Sequence, residues 1–202
     1  MDIERPPGTQ WRRPTLAVGI ALCALALPSL AAARQPPATW KIHEVKVSPA
    51  GDGRGVSVVL DAVVLAPASA VEQVVGDVSL YPNWIPGFRA VRPVGEGGGD
   101  EHLFETDVDL PWPLAAIRER IGMKREEVRG GTRYSWVQVS GDLRRNEGSW
   151  TVTALPGGRT RVIYRANFQL RSWVPMFLIR LAQRREAPAV IRNLQERTRF
   201  YS

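Results

Sequence analysis

The chain has 202 residues, of which 44% are hydrophobic and 23% are charged, and its formal net charge is +7. This length and composition suit a globular domain with its own core and argue against a chain that is disordered throughout. One cysteine, Cys23, and two histidines, His43 and His102, exclude a zinc site of the usual Cys/His kind and a disulfide within the chain. We therefore predict neither a metal nor a cofactor.

The first 33 residues have the pattern of a secretory signal. Arg12-Arg13 precedes an uncharged, Leu- and Ala-rich run over 15–33, and the closing Ala31-Ala32-Ala33 fits a signal-peptidase site. The run could also nearly span a bilayer, so an uncleaved N-terminal membrane anchor is the alternative. Cleavage would leave 34–202 as one mature domain without cysteine, as suits an oxidising periplasmic or extracellular compartment.

The mature chain begins with strands, passes through two short helices and returns to strands. Alternating and β-branched residues predict strands at 40–47 and 55–65 that pair as a hairpin. Short helices are predicted at 67–77 and 79–85, and neither is long enough to be stable without tertiary packing. Six further strands, most of them separated by turns that contain glycine, are predicted at 88–94, 101–110, 116–128, 133–140, 147–155 and 159–170.

The last stretch, 173–200, has helical periodicity with a basic side and one apolar stripe. We place Phe177, Leu181, Ile191 and Leu194 in that stripe, and Pro188 predicts a kink or a short break. The stripe needs an apolar cover, which the alternate residues of the strands supply. The order of elements therefore predicts an α+β fold, with a curved antiparallel sheet wrapped around a long C-terminal helix.

Short motifs add a family resemblance. Residues 77–84 read Asp-Val-Ser-Leu-Tyr-Pro-Asn-Trp, and 110–113 read Leu-Pro-Trp-Pro, followed by Arg118-Glu119. With the element order, these motifs resemble the START-like helix-grip (SRPBCC) superfamily and, within it, the bacterial polyketide-cyclase and coenzyme-Q-binding START branch. Where the family has Arg-Asp, this chain has Glu119 in second place and a slightly longer approach from Pro113. The resemblance implies a helix-grip domain with a cavity for an apolar or amphipathic molecule between its sheet and its long helix.

The candidate ligand-binding residues are mostly aromatic or aliphatic residues on predicted inward faces or near turns. They are Trp84, Ile85, Phe88, Phe104, Thr106, Val108, Trp112, Arg118, Trp150, Tyr164, Phe168, Phe177 and Leu181. The alternative for the tryptophans is core or rim packing, and for Tyr164 it is a core position with a satisfied hydroxyl. Arg118 either lies on a solvated face or is turned inward by a bulge, where it could hold a carboxylate or phosphate.

An enzyme of the cyclase kind needs an inward acid/base pair, and Tyr164 and Arg118 are the candidates, which do not make a convincing dyad. Glu105, Asp107 and Asp109 share a polar strand face, which is more typical of a solvated edge than of a paired-carboxylate site. We therefore predict an exported binding or transport protein for a hydrophobic small molecule or lipid. The alternatives are a polyketide cyclase or aromatase-like enzyme and an interaction protein whose cavity is filled by its own side chains. The basic side of the last helix predicts an anionic membrane surface as a further partner, and no nucleic-acid motif points to a nucleic-acid partner.

Overall fold

The computed structural model describes residues 40–50, 55–110, 116–171 and 175–201, without the side chains of 176, 178 and 180–185. The predicted signal segment lies outside these residues. The elements are β1 (Lys41–Pro49), β2 (Val56–Val64), α1 (Ala68–Gly76), a 3-10 helix (Val78–Asn83), β3 (Phe88–Glu96), β4 (His102–Val108), β5 (Ile117–Val128), β6 (Gly131–Gly141), β7 (Arg145–Leu155), β8 (Arg159–Gln169) and α2 (Met176–Thr198). This order confirms the predicted one. Within the described ranges, no helix is both long and apolar enough to cross a membrane.

The eight strands form one curved antiparallel sheet in the order β1-β2-β8-β7-β6-β5-β4-β3. Because β8 pairs with β2, the last strand returns to the first hairpin and places α2 beside the sheet. The sheet, the two short helices and the long final helix confirm the predicted helix-grip fold.

One face of the sheet, here called the inward face, packs against α1 and α2. In β2 the alternate residues from Val56 to Val64 are buried, as expected for a strand with one covered face. Residues directly opposite each other in an antiparallel pair point to the same side, so the register extends this face across the sheet. One such row joins Leu60 to Tyr164, Trp150 and Tyr134.

Both halves of helix α2 contribute buried side chains. Ile191 and Leu194 are fully buried in the main core. The helix runs through Pro188 without a break, so a break at that residue is not found. In the first half, Ile179 is buried whereas Phe177 is 65% exposed.

The predicted apolar stripe is therefore wrong at Phe177, although a regular helix would put that residue close to Ile191 on the wheel. At the start of α2 the buried side is that of Ile179, which packs with Val56 and Val58 of β2 and leaves Phe177 on the solvent side. The side chain of Leu181 lies outside the described residues.

Gln195 ties α2 to the end of β2. Its Oε1 accepts a hydrogen bond from the Leu65 N–H at 2.6 Å, and its Nε2 donates to the Leu65 carbonyl at 2.9 Å. Replacing Gln195 with alanine removes both partners of this backbone segment, so we expect a loss of about 2–4 kcal/mol in the free energy of unfolding. Urea denaturation measures the loss. Glu196→Ala, at the exposed neighbouring position, is the control, and equal stability of the two variants would contradict this role for Gln195.

Candidate functional site

Four aromatic side chains, here called the aromatic cluster, meet on the inward face. The Trp136 ring stacks on Tyr164 with 5.5 Å between centroids, and Trp150 lies 4.6 Å from Tyr164. Trp84 packs 5.9 Å from Trp150. These offset and tilted contacts are the favourable geometries for aromatic pairs, so the cluster forms a rigid apolar surface.

Tyr164 combines two properties in the middle of this surface. Burial raises the pKa of its hydroxyl to about 12, so the group stays protonated at physiological pH. Its neighbours across the sheet, Leu60 and Trp150, are buried, yet Tyr164 keeps partial exposure. Tyr164 is therefore a side chain deep in the protein that its neighbours do not cover completely.

A polar triad of Glu119, Asn146 and Trp136 adjoins the aromatic cluster. The Trp136 indole Nε1–H donates to the Asn146 Oδ1 at 3.1 Å. The Asn146 Nδ2 in turn donates to the Glu119 Oε2 at 2.6 Å. The second carboxyl oxygen of Glu119, Oε1, is buried and has no hydrogen-bond partner among the described residues. A buried polar atom without a partner is uncommon in folded proteins and calls for a structural or functional explanation.

The Glu119 carboxyl is almost completely removed from solvent, because the residue is only 3% exposed. Its burial raises the pKa to about 7; the hydrogen bond from Asn146 lowers the pKa, and the charge of Asp142 raises it. The group therefore exchanges its proton near neutral pH, which an ordinary glutamate does not. It can serve as a hydrogen-bond donor, as an acceptor or as an acid/base group.

Two glycines leave room for the triad. A Cβ on Gly148 would overlap the Trp136 ring and the carbonyl oxygen of Arg165. Gly141 is paired with Glu119, has a φ of +142° that favours glycine, and would place a Cβ 2.7 Å from the Glu119 Cα. Side chains at these two positions would displace the polar triad.

The structure brings many of the predicted site residues together on the inward face. Trp84, Trp150 and Tyr164 belong to the aromatic cluster. The register places Phe88, Phe104, Thr106, Val108 and Phe168 on the same face, with Thr106 opposite Glu119 and Phe168 opposite Asn146. Ile85 packs against the main core, the exposed Phe177 does not join the buried stripe, and Trp112 lies outside the described residues.

Arg118 lies on the outer face, which is the solvated one of its two predicted positions. Its side chain is 71% exposed, and its Nε contacts an Asp107 carboxylate oxygen at 2.7 Å. A β-bulge in the pairing of β5 with β6 places an extra residue, Val139, in β6. Strand β5 has no extra residue there, so its regular alternation keeps Arg118 on the outer face. Arg118 holds the pKa of Asp107 below its ordinary value.

The outer face of β3, β4 and β5 carries a series of such ion pairs. Arg120 contacts Glu105 at 2.8 Å, and Arg89 contacts Asp109 at 2.7 Å. The acidic residues of β4 and the adjoining Asp109 therefore form a charged outer surface with these arginines. Exposed ion pairs of this kind contribute little to stability.

Glu119, Asn146 and Trp136 are not among the site residues predicted from the sequence. A signal for Glu119 was present, because it alternates with Ile117 and Ile121 and so falls on their apolar face. A charged residue at such a position needs a functional or structural reason. No comparable signal exists for Asn146, whose role depends on contacts with residues 27 and 10 positions away.

A separate cleft of about 240 Å³ lies where β7 begins and β8 ends. Arg145, Glu147, Asn167 and Gln169 line it, on the side of the sheet opposite Asn146. Arg145 and Glu147 form an ion pair at 2.7 Å, so the two charged side chains of the cleft already engage each other. The described residues contain no group of three or more His, Cys, Asp or Glu arranged to hold a metal ion.

Solved structures with the same architecture have low sequence identity to this chain. The human StAR-related lipid transfer protein 5 aligns with a TM-score of 0.68 and 14% identity, over 83% of this chain and 90% of that protein. The STAR-related lipid transfer protein from Xanthomonas axonopodis gives 0.62 and 16%, over 80% and 99%. The Zhui aromatase/cyclase from Streptomyces sp. R1128 gives 0.55 and 17%, over 71% and 93%. At these identities the likeness establishes the fold alone.

Most of the domain matches one known protein family. None of the curated proteins matches this chain. The model of the family described as polyketide cyclase / dehydrase and lipid transport matches residues 64–195, which include α1, the aromatic cluster, the polar triad and most of α2. The chain therefore belongs to the polyketide cyclase / dehydrase and lipid transport family, with the START helix-grip fold.

Proposed function

We propose that the protein is an exported carrier that holds a hydrophobic small molecule or lipid between its sheet and α2. The observation that carries the proposal is the partial exposure of Tyr164, which lies mid-sheet on the inward face between buried neighbours. Phe104 and Phe168, on the same face, are also only partly buried. Apolar side chains that border unfilled space would gain about 25 cal/mol per Å² of surface that a ligand removes from water.

The relatives support a ligand of this kind. Two of the similar structures are lipid transfer proteins and a third is an aromatase/cyclase, so their names cover both carriers and enzymes. The size of the aromatic surface relative to its polar content supports the carrier function: four large rings accompany two buried polar atoms without a partner among the described residues, the Glu119 Oε1 and the Trp84 Nε1. Such a surface suits a mostly apolar ligand with few polar atoms.

Export rests on residues 1–33, with their Arg pair, apolar run and Ala-rich end. The full-length chain, expressed in a bacterial host, should appear in the periplasmic fraction with a mass that corresponds to a start at Arg34. A full-length chain that stays in the membrane fraction would favour the N-terminal anchor. Recovery from the cytoplasm at full length would overturn export.

The binding test is native mass spectrometry of the purified protein, followed by organic extraction of bound material. A stoichiometric apolar molecule, or saturable uptake of the neutral dye N-phenyl-1-naphthylamine, is the expected result. Phe104→Trp should lower dye uptake by filling the space on the inward face. Val137→Trp, at an outward position that is 55% exposed, should leave uptake unchanged. A ligand-free protein that takes up no dye would favour the interaction-protein alternative.

A second candidate function, a cyclase or aromatase-like enzyme, has one observation in its favour. Glu119 has a pKa near 7 beside an apolar surface, which is the property of a general acid or base that works at neutral pH. If the protein is an enzyme, Glu119→Gln should abolish conversion of a poly-β-ketone substrate while dye uptake persists. Product formation undiminished in that variant would exclude Glu119 as the acid/base group.

A further inference from the structure

The polar triad has a fixed hydrogen-bond direction. An indole nitrogen can only donate, so the Asn146 Oδ1 must accept from Trp136. The Asn146 amide nitrogen is therefore the atom that faces Glu119, and Glu119 Oε2 must accept from it. When Glu119 is protonated, its proton is consequently on Oε1, the oxygen without a partner among the described residues.

The surroundings of Glu119 favour this neutral form. Thr106 lies opposite it on β4 and Gly141 on β6, and neither can ionise. Among the described residues, Asp142 is the charged group that acts on its titration, and a negative neighbour favours the protonated carboxyl. Arg118, the adjacent cation in sequence, is on the outer face and engaged with Asp107.

We propose that Glu119 donates a hydrogen bond from Oε1 to a neutral acceptor oxygen, such as a ketone or ester carbonyl, on the bound apolar ligand. This inference rests on the proposed binding function and adds the chemistry of the ligand's polar end. A pure hydrocarbon would leave the Oε1–H unsatisfied, and a ligand whose only polar group is an ammonium offers no acceptor. The ligand class is therefore an apolar molecule with a buried carbonyl-type oxygen.

The test uses two probes of equal chain length, 2-tridecanone and tridecane, in displacement of N-phenyl-1-naphthylamine from the full chain as purified. At pH 5.5, where Glu119 is protonated, the ketone should bind roughly tenfold more tightly than the alkane. Glu119→Ala should abolish that preference. In wild-type protein the preference should also fall at pH 8.5, because the ionised carboxylate cannot donate.

Glu119→Gln is the matched variant that keeps the geometry without the titration. Its amide oxygen can accept from Asn146 while its Nε2–H₂ replaces the Oε1–H donor, so the ketone preference should persist at both pH values. Glu147→Gln, at an outer-face position of β7, should behave as wild type.

The outcomes separate this inference from the function on which it rests. Binding of the dye and of both probes without a ketone preference would overturn the role of Glu119 and leave the carrier function standing. The same conclusion follows if Glu119→Ala keeps the preference. Failure of the dye and both probes to bind would overturn the carrier function and this inference together.

Discussion

Glu119→Gln is expected to remove a fall in stability that the wild-type protein undergoes as the pH rises from about 4.5 to about 7. The pKa of Glu119 is raised by burial from its ordinary 4.5 to about 7 in the folded protein. Between these values the folded state binds more protons than the unfolded state, so stability decreases with increasing pH. The contribution is fully present below pH 4.5 and is lost as the pH passes through 7. A shift of this size corresponds to about 3 kcal/mol.

Urea denaturation of both proteins at several pH values measures this difference. Asp61, Glu105 and Asp107 have lowered pKa values, each because of a hydrogen bond from an arginine side chain, and their contributions are lost as the pH falls. Those groups are the same in both proteins. The difference in the free energy of unfolding between wild type and variant therefore reports the contribution of Glu119 alone. Glu196→Gln, at an exposed position of α2, should follow the wild-type profile. Parallel curves for wild type and Glu119→Gln would show that Glu119 titrates normally.

The fold could be predicted because its signals are local. Period-two alternation in β2 and β8, glycine-containing turns and a long amphipathic end each depend on residues close in sequence. The prediction was wrong at Phe177, because the buried side at the start of α2 is set by the packing of Ile179 against Val56 and Val58. This contact joins residues distant in sequence, so helical periodicity alone does not reveal it.

The site was harder to predict because it is built from distant residues. The aromatic members Trp84, Trp150 and Tyr164 could be selected from inward alternation and aromatic content. The polar triad depends on the pairing of β5, β6 and β7, and on an extra residue in β6 that sequence alternation does not reveal. The family motif includes Arg118, but the side chain of Arg118 lies on the outer face of the sheet. Its neighbour Glu119 is the buried residue. The useful sequence signal was a charged residue on an apolar strand face.

Gly148→Ala is expected to disturb both fold and site. The new Cβ would overlap the Trp136 ring and the backbone oxygen of Arg165, and the backbone of β8 cannot move without disturbing its pairing with β2. Overpacking of this kind should lower the free energy of unfolding by about 3 kcal/mol. Since Trp136 orients Asn146, its displacement should also remove the ketone preference that we attribute to Glu119.

Two comparisons assign these effects to the close approach at Gly148. Gly98→Ala is the matched control, because no atom lies within 4 Å of its added Cβ and its φ is not positive, so stability should be unchanged or slightly higher. Trp136→Phe keeps an aromatic ring but lacks the N–H, so it should retain dye uptake and lose the fixed orientation of Asn146. A stable Gly148→Ala protein with a wild-type ketone preference would mean that β7 and Trp136 accommodate the methyl group and that the triad does not require a glycine beneath the indole. If instead Gly148→Ala is destabilised and Trp136→Phe stays stable without the preference, the glycine serves packing and the indole N–H serves recognition.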